Sequence, residues 1–329
     1  MKLLVFEYSS TCLYDNLLSE GFNMLNAILT DLENDSSFDV YYLINANVNS
    51  FKFNKLNAIN LNEDLCGWLN KYSNRFDYCL FIAPEDNLIQ YGITKILEQN
   101  NVKVIGCDSS ASYICSSKDL TYKHVPENIL KIKSFKYRTA ELKYENIKDK
   151  IEKNPFVIKP DDRTSSDLIF IIDNRSMFER IKEIYLEKNI EYLLVQEYVE
   201  GTPISVSLVC NNKDTSVISI NSQEICESEN KIRYLGCKTP IKHPLEKELY
   251  EISRTIVQSI PGLKGFVGID YIIQNNNIFF VEINSRITTP YIVLQKNCKE
   301  NLTDTIIDYF INDNDGINLT FEKEGKFIR

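Results

Sequence analysis

Glycine is scarce in this chain, 11 of 329 residues, or roughly 3% against the ~7% common in soluble proteins. The eleven stand apart, no two adjacent, at 21, 67, 92, 106, 201, 236, 262, 265, 268, 316 and 325. Neither the G-x-G-x-x-G turn of dinucleotide folds nor the G-x-x-x-x-G-K-[ST] phosphate loop occurs. Any nucleotide bound here is gripped by other means. Histidine is scarcer still, His124 and His243 alone, which argues against a histidine-rich metal centre or a Ser-His-Asp triad. Nine cysteines are scattered without a C-x-x-C pair and in odd number. They read as thiols in a reducing compartment, not as a disulfide frame or a zinc site. Long apolar runs are missing: the chain meets Glu7 after four apolar residues, too early for a signal-peptide core, and no stretch approaches membrane-spanning length. Cations are the minority, 37 Lys and Arg against 46 Asp and Glu, for a net charge of −9. A phosphate-backbone partner needs clustered cations, so nucleic acid is disfavoured. The expectation is a cytoplasmic chain with neither nucleic-acid nor membrane partner.

What is present is the material of a folded, multidomain protein: 43% hydrophobic, 25% charged and 11% aromatic residues. Residues 3–6, 40–44, 78–82 and 102–105 read as short strands. Between them Leu18, Phe22, Leu25, Leu29 and Leu32 recur at helical spacing, and residues 65–72 and 89–97 read as further helices. Alternating strands and helices imply a parallel sheet covered on both faces. Ala83-Pro84-Glu85-Asp86 follows the third strand directly, and ligands gather at the carboxyl ends of such strands. A boundary is expected near residue 110, and Ser116-Ser117-Lys118-Asp119 reads as a helix start, with Ser116 as the cap and Asp119 three residues on. Beyond it, strands at 156–159, 168–172, 192–198, 204–210, 216–221, 266–273 and 278–284, with helices at 177–186 and 246–260, give an α+β texture.

Three stretches carry candidate chemistry. If Asn275–Asn277 forms a symmetric loop centred on Asn276, Asp270 and Glu282 face each other. Two carboxylates opposed on one face repel unless something offsets them. Asn284 points to the same face, and the three oxygen donors suit Mg²⁺, which takes few protein ligands and completes its shell with phosphates and water. A solvated edge hairpin is the plain alternative; the cation of Arg286 alongside favours an anion shared with the metal. The second stretch, Lys159-Pro160-Asp161-Asp162-Arg163-Thr164-Ser165-Ser166, ends an apolar strand in a polar turn. Such a turn can set amides, hydroxyls and a lysine charge around phosphate, or be an ordinary hairpin with a snorkelling lysine. The third, Gln196-Glu197-Tyr198-Val199-Glu200-Gly201, is a strand running into a turn.

In their order, Lys118, Lys159-Pro160, Gln196 through Gly201, Gly268-Ile269-Asp270 and Glu282 through Arg286 resemble the ATP-grasp superfamily over about residues 110–300. The resemblance implies an ATP-grasp fold behind an N-terminal Rossmann-like α/β domain, with divisions at 1–110, 111–195 (small ATP-grasp subdomain) and 196–329 (subdomain with the metal site). Further stretches, 82–86, 196–208, 219–223 and 281–291, are similar to the branch of carboxylate–amine ligases that joins the γ-carboxyl of L-glutamate to tyramine in methanofuran biosynthesis. The resemblance implies ATP-dependent amide formation through an acyl phosphate. By it, Lys118, Lys159, Ser165 and Ser166 contact ATP phosphates, and Gln196, Glu197 and Val199 line the adenine slot. Asp270, Glu282 and Asn284 hold Mg²⁺ (or Mn²⁺), and Arg286, catalytic with Lys159, meets the transferred phosphate or acyl phosphate. Asn221 and Gln223 reach the acceptor pocket, and Lys231, Arg233 and Lys238 lie on a loop before Pro240.

This chain departs from the superfamily pattern at four places. The turn after Lys159 carries Arg163, Thr164, Ser165 and Ser166 where relatives carry glycines. Asn284-Ser285-Arg286 stands for Asn-Pro-Arg, Gly236-Cys237 for Gly-Gly, and Pro203 for an acidic ribose ligand. Two alternatives stay open: a ligase of the same chemistry acting on other amino acids or peptides, and an ATP-binding regulatory protein without turnover. Partners are small carboxylate and amine substrates, and a homodimer is the assembly to test for, dimers being the commonest homo-oligomers.

Overall fold

Leu3 and Val5 alternate with Leu4 and Phe6. In the computed structural model, which describes residues 1–13, 18–34, 37–48, 51–163 and 168–329, the two sets pack on opposite faces of one sheet. The strands are β1 (Lys2–Glu7), β2 (Asp39–Asn45), β3 (Asn57–Leu61), β4 (Tyr78–Ile82) and β5 (Lys103–Val104), all parallel in the order β3-β2-β1-β4-β5. Helices α1 (Tyr8–Cys12), α2 (Leu18–Asn34), α3 (Leu65–Tyr72) and α4 (Ile89–Gln99) connect them. Helix α2 buries Leu25, Leu29 and Leu32, with Phe22 half-buried beside them, as the helical spacing requires. Each fully buried leucine contributes about 1.5–3 kcal/mol relative to exposure. The Leu18 side chain lies outside the described set. Leu4 and Phe6 meet Trp68, Leu69, Ile93 and Leu97 on the other face. Strand β3 escaped the sequence reading because NAINL is half-exposed and polar.

The second sheet runs β14-β13-β10-β11-β12-β8-β7-β9-β6 with β15 beside β12, and its strand pairs are antiparallel. The strands are β6 (Ser134–Arg138), β7 (Phe156–Pro160), β8 (Phe170–Ile172), β9 (Tyr192–Glu197), β10 (Thr202–Cys210), β11 (Thr215–Ser228), β12 (Lys231–Thr239), β13 (Gly265–Gln274), β14 (Asn277–Asn284) and β15 (Gly325–Ile328). Between β5 and β6 come α5 (Ser109–Cys115) and α6 (Lys118–His124); α7 (Tyr144–Lys148) and α8 (Arg175–Glu187) cover β6–β9, and α9 (Glu246–Gln258) packs on β10 and β11. The seam between β12 and β8 is a single register pair, Lys231 with Phe170. Lys231, Arg233 and Lys238 therefore lie on strand β12, not on a loop as expected. Gly236 within it has φ +150°, and a Cβ there would sit 2.1 Å from the Phe327 carbonyl oxygen of β15.

The chain then returns to its first unit. Helices α10 (Pro290–Asn297) and α11 (Leu302–Ile311) bury Tyr291, Leu294, Leu302, Ile306 and Ile307 in the same core as Leu25, Leu29 and Val5. Among the described residues no helix is long and apolar enough to cross a membrane, and all nine cysteines are free thiols.

Candidate active site

The carboxylate pair forms, by a different route from the one expected. The β13–β14 turn has two residues, Asn275 and Asn276, both left-handed (φ 50° and 64°), the conformation of a type I′ hairpin that asparagine tolerates. That turn pairs Tyr271 with Phe280. A bulge then leaves Val281 unpaired and brings Asp270 opposite Glu282. Asn284 Nδ2 lies 3.5 Å from Asp270 Oδ2, and Gln223 Nε2 donates to Asp270 Oδ1 at 3.0 Å.

Two lysines converge on the same place. Lys118 opens α6, whose cap is Ser117, one residue later than expected: its side chain accepts from Leu120 N, while Ser116 Oγ turns back to Tyr113 O. Lys159 comes from β7 and is 4% exposed. Glu282 Oε2 lies 3.6 Å from Lys118 Nζ and 3.9 Å from Lys159 Nζ. Burial lowers the Lys159 ammonium to about 8, with Glu282 opposing the shift. For Glu282 burial works against ionisation, yet the two lysines outweigh it and hold the carboxyl below its usual value. Asp270 goes the other way: burial first and Glu282 second push it up. Glu282 is thus held ionised between two cations, while ionisation of Asp270 beside it is opposed. Among the described residues no three His, Cys, Asp or Glu cluster. Two carboxylates and an amide oxygen are instead the sparse oxygen set that suits Mg²⁺ when phosphates complete its shell.

Arg286 is locked to the first unit. Its Nε donates to Glu85 Oε2 at 2.9 Å, and Glu85 Oε1 accepts from Ser285 N at 3.0 Å. Ser285 Oγ donates to Gln90 Oε1 (2.9 Å), and Gln90 Nε2 to Ser285 O (2.7 Å). Serine in place of the family proline supplies the N–H that holds Glu85, which proline lacks. Burial works against the guanidinium charge, but Glu85 outweighs it and keeps Arg286 ionised.

Of these groups Lys159, Gln223, Asp270, Glu282, Asn284 and Arg286 line a cleft of about 940 Å³ between the two sheets, walled also by Ala83 and Pro84 after β4, whereas Lys118 and Glu85 line a small adjoining pocket that shares Glu282 and Asn284 with it. At one end lie Gln196, Glu197 and Val199 with apolar Ile132, Val157 and Ile169. Gln196 Nε2 donates to the Tyr122 hydroxyl at 2.8 Å. Gly201 closes this end: a Cβ there would meet Ile272 Cγ2 and Ile273 O at 2.6 Å. Lys159, Asp270, Glu282, Asn284 and Arg286 line the middle. Glu7, Glu20, Met24, Tyr234, Pro290 and Arg329 also line the cleft. Gln223 lines the cleft, but Asn221 does not. It is fully buried, and its amide is spent on Ser205, Ser207, Ser219 and Thr239, so it acts behind the wall through Ser205. Ser165 and Ser166 lie outside the described residues. Lys231 Nζ lies over the Phe170 ring and Lys238 pairs with Glu324, and neither lines the cleft.

Sequence reasoning marked the turn at 83–86 as a site edge but did not identify Glu85 as the partner of Arg286. It passed over Tyr122, and over Glu7, Glu20 and Arg329 altogether. The cue for Glu7 was a carboxylate ending a buried parallel strand.

A family model described as the ATP-grasp domain matches residues 103–290. The chain is 31% identical over 330 residues to tyramine–L-glutamate ligase of Methanocaldococcus fervens, covering 98% of each. It is 30% identical over 305 residues to tyramine–L-glutamate ligase of Methanocaldococcus jannaschii, covering 90% of this chain and 85% of that one. In fold it is similar to D-alanine–D-alanine ligase from Bacillus anthracis complexed with ATP, with TM-score 0.68, 15% identity and 95% and 96% of the two chains covered.

Proposed function

This chain belongs to the ATP-grasp family, and on that premise we propose that it joins the γ-carboxyl of L-glutamate to the amine of tyramine, an amide-forming step of methanofuran biosynthesis. It is an ATP-dependent carboxylate–amine ligase. A glutamate carboxylate oxygen attacks the γ-phosphorus of ATP, the bond to ADP breaks, and an acyl phosphate forms. The uncharged amine then attacks the acyl carbon, inorganic phosphate leaves with the C–O electron pair, and the surplus amine proton is released.

The observation that carries this reading is the charge layout around Glu282, where the cleft and the pocket holding Lys118 meet. Lys118 and Lys159 neutralise phosphate charge, and Arg286, held rigid by Glu85, faces the phosphoryl group as it passes to the carboxylate. Asp270, Glu282 and Asn284 would hold Mg²⁺ (or Mn²⁺), which when bound supplies further neutralisation between phosphates. Gln196, Glu197 and Val199 take the adenine. Glu7, Glu20, Arg329, Tyr234 and Met24, which also line the cleft, offer both charge signs and an apolar surface to a zwitterionic amino acid and an aromatic amine. Proton transfer needs no histidine, and His124 and His243 stand outside the cleft lining. Nine free thiols accord with a reducing cytoplasm.

ADP release is to be measured against a panel of amines and carboxylates. Glutamate plus tyramine should give the highest turnover. Turnover with other pairs alone overturns the substrate assignment, and ATP binding without turnover under any pair favours a regulatory protein.

A further inference from the structure

Lys118 and Lys159 reach one carboxylate from separate elements, so something must hold the start of α6 against the end of β7. Asp161 makes that connection. It is 3% exposed and lies outside the described lining of the cleft. Its Oδ2 accepts from Ser117 Oγ at 2.6 Å and from Lys136 Nζ of β6 at 2.7 Å, and its Oδ1 accepts from Asp119 N at 2.8 Å. Its backbone carbonyl accepts from Lys118 N at 3.0 Å, and its N–H donates to Tyr192 O of β9 at 3.1 Å. One residue thereby ties β7 to α6, β6 and β9. Two residues on, the carbonyl of Arg163 accepts from Lys118 Nζ at 2.5 Å. The side chain and the backbone of the same turn both fix the first lysine.

The first amides of α6 are already taken: Asp119 N by Asp161 and Leu120 N by Ser117. A phosphate arriving here meets lysine side chains, not open helix amides. We propose that Asp161 is a positioning residue for ATP, setting Lys118 in register with Lys159 so that both ammonium groups address the phosphates together. This rests on the reading of those lysines as ATP ligands. A carboxylate kept only for stability would weaken every ligand alike or none. A positioning carboxylate weakens ligands in proportion to the phosphates they carry.

The test is equilibrium binding of ATP and AMP, with Mg²⁺, to the full chain and to Asp161→Asn and Ser117→Ala. Asp161→Asn keeps an acceptor for Asp119 N but loses the negative charge that faces Lys136 and an acceptor for Ser117. Its ATP affinity should fall about tenfold or more, the size expected for hydrogen bonds to a charged group, with AMP changed less than twofold. Ser117→Ala should move the same ratio in the same direction by less, and it decides alone if the first variant does not fold. An unchanged ATP-to-AMP ratio in the folded variants overturns the proposal. A wild-type chain that binds no ATP overturns the ligase reading itself.

Discussion

Glu85→Gln isolates the contact that joins the two units at the reacting centre. Glu85 is 3% exposed and receives Arg286 Nε at 2.9 Å and Ser285 N at 3.0 Å. Glutamine fills the same volume but has one carbonyl for two donors, and its amide turns a third donor toward them. A hydrogen bond to a charged group is worth about 1.5–3 kcal/mol, and stripping a buried charge of its partner about 3–5 kcal/mol. The Arg286 side chain retains 15% exposure to the cleft, which discounts the upper figure, so a loss of about 2–3 kcal/mol is expected. The larger effect is catalytic. Arg286 remains protonated but free to swing, and losing one preorganised donor to a developing charge costs about 10²–10³ in kcat. Steady-state ADP release should show that fall with KM for ATP changed little, because the adenine and lysine contacts are untouched. A Glu85→Gln enzyme within twofold of wild-type kcat would refute the role assigned to the contact, whatever its melting temperature.

Asp270→Asn should separate stability from activity. Without metal its melting temperature should rise, since the ionised carboxylate is opposed by burial and by Glu282. The Mg²⁺-induced thermal shift should disappear, and ADP release should fall by about 10² or more; unaltered Mg²⁺ stabilisation would dismiss the carboxylate pair as a metal site. Asp161 predicts a pH signature. Its carboxyl lies below the ordinary 3.8, burial being outweighed by Lys136, Ser117 and Asp119. Its stabilisation is therefore complete above the unfolded value and is lost as pH falls through the folded one. The stability gap between wild type and Asp161→Asn, followed by urea melts, should narrow as pH drops from about 5 to below 3.8; a constant gap contradicts this. Gly201→Ala places a methyl 2.6 Å from Ile273 O. Relieving the clash should cost about 1–3 kcal/mol and raise KM for ATP, and a neutral variant would mean the turn yields freely.

The parallel sheet was legible because its inner strands β1 and β4 are buried on both faces and so spell continuous apolar runs. The carboxylate pair was legible too, although the reasoning reached it by two errors that cancelled: a three-residue loop in place of Asn275-Asn276, and no bulge at Val281. Strand β12 was missed because Lys231, Arg233 and Lys238 interrupt its apolar pattern, and a strand half open to solvent looks like a loop. Asn221 looked reachable because alternation along β11 says which face a side chain takes, not whether neighbours already occupy its amide. Glu85 and Asp161 were visible as acidic residues beside motifs. Their partners lie 201 and 44 positions away, and no local pattern encodes such distances.

The return of α10 and α11 to the first unit bears on how this architecture is recombined. Tyr291, Leu294, Leu302 and Ile306 complete the apolar layer over Leu25 and Leu29. A transplant of residues 1–105 alone would leave that layer half built in both donor and recipient. The exchangeable module is discontinuous, two stretches far apart in this sequence, and variation in the layer they build together must be inherited by both at once.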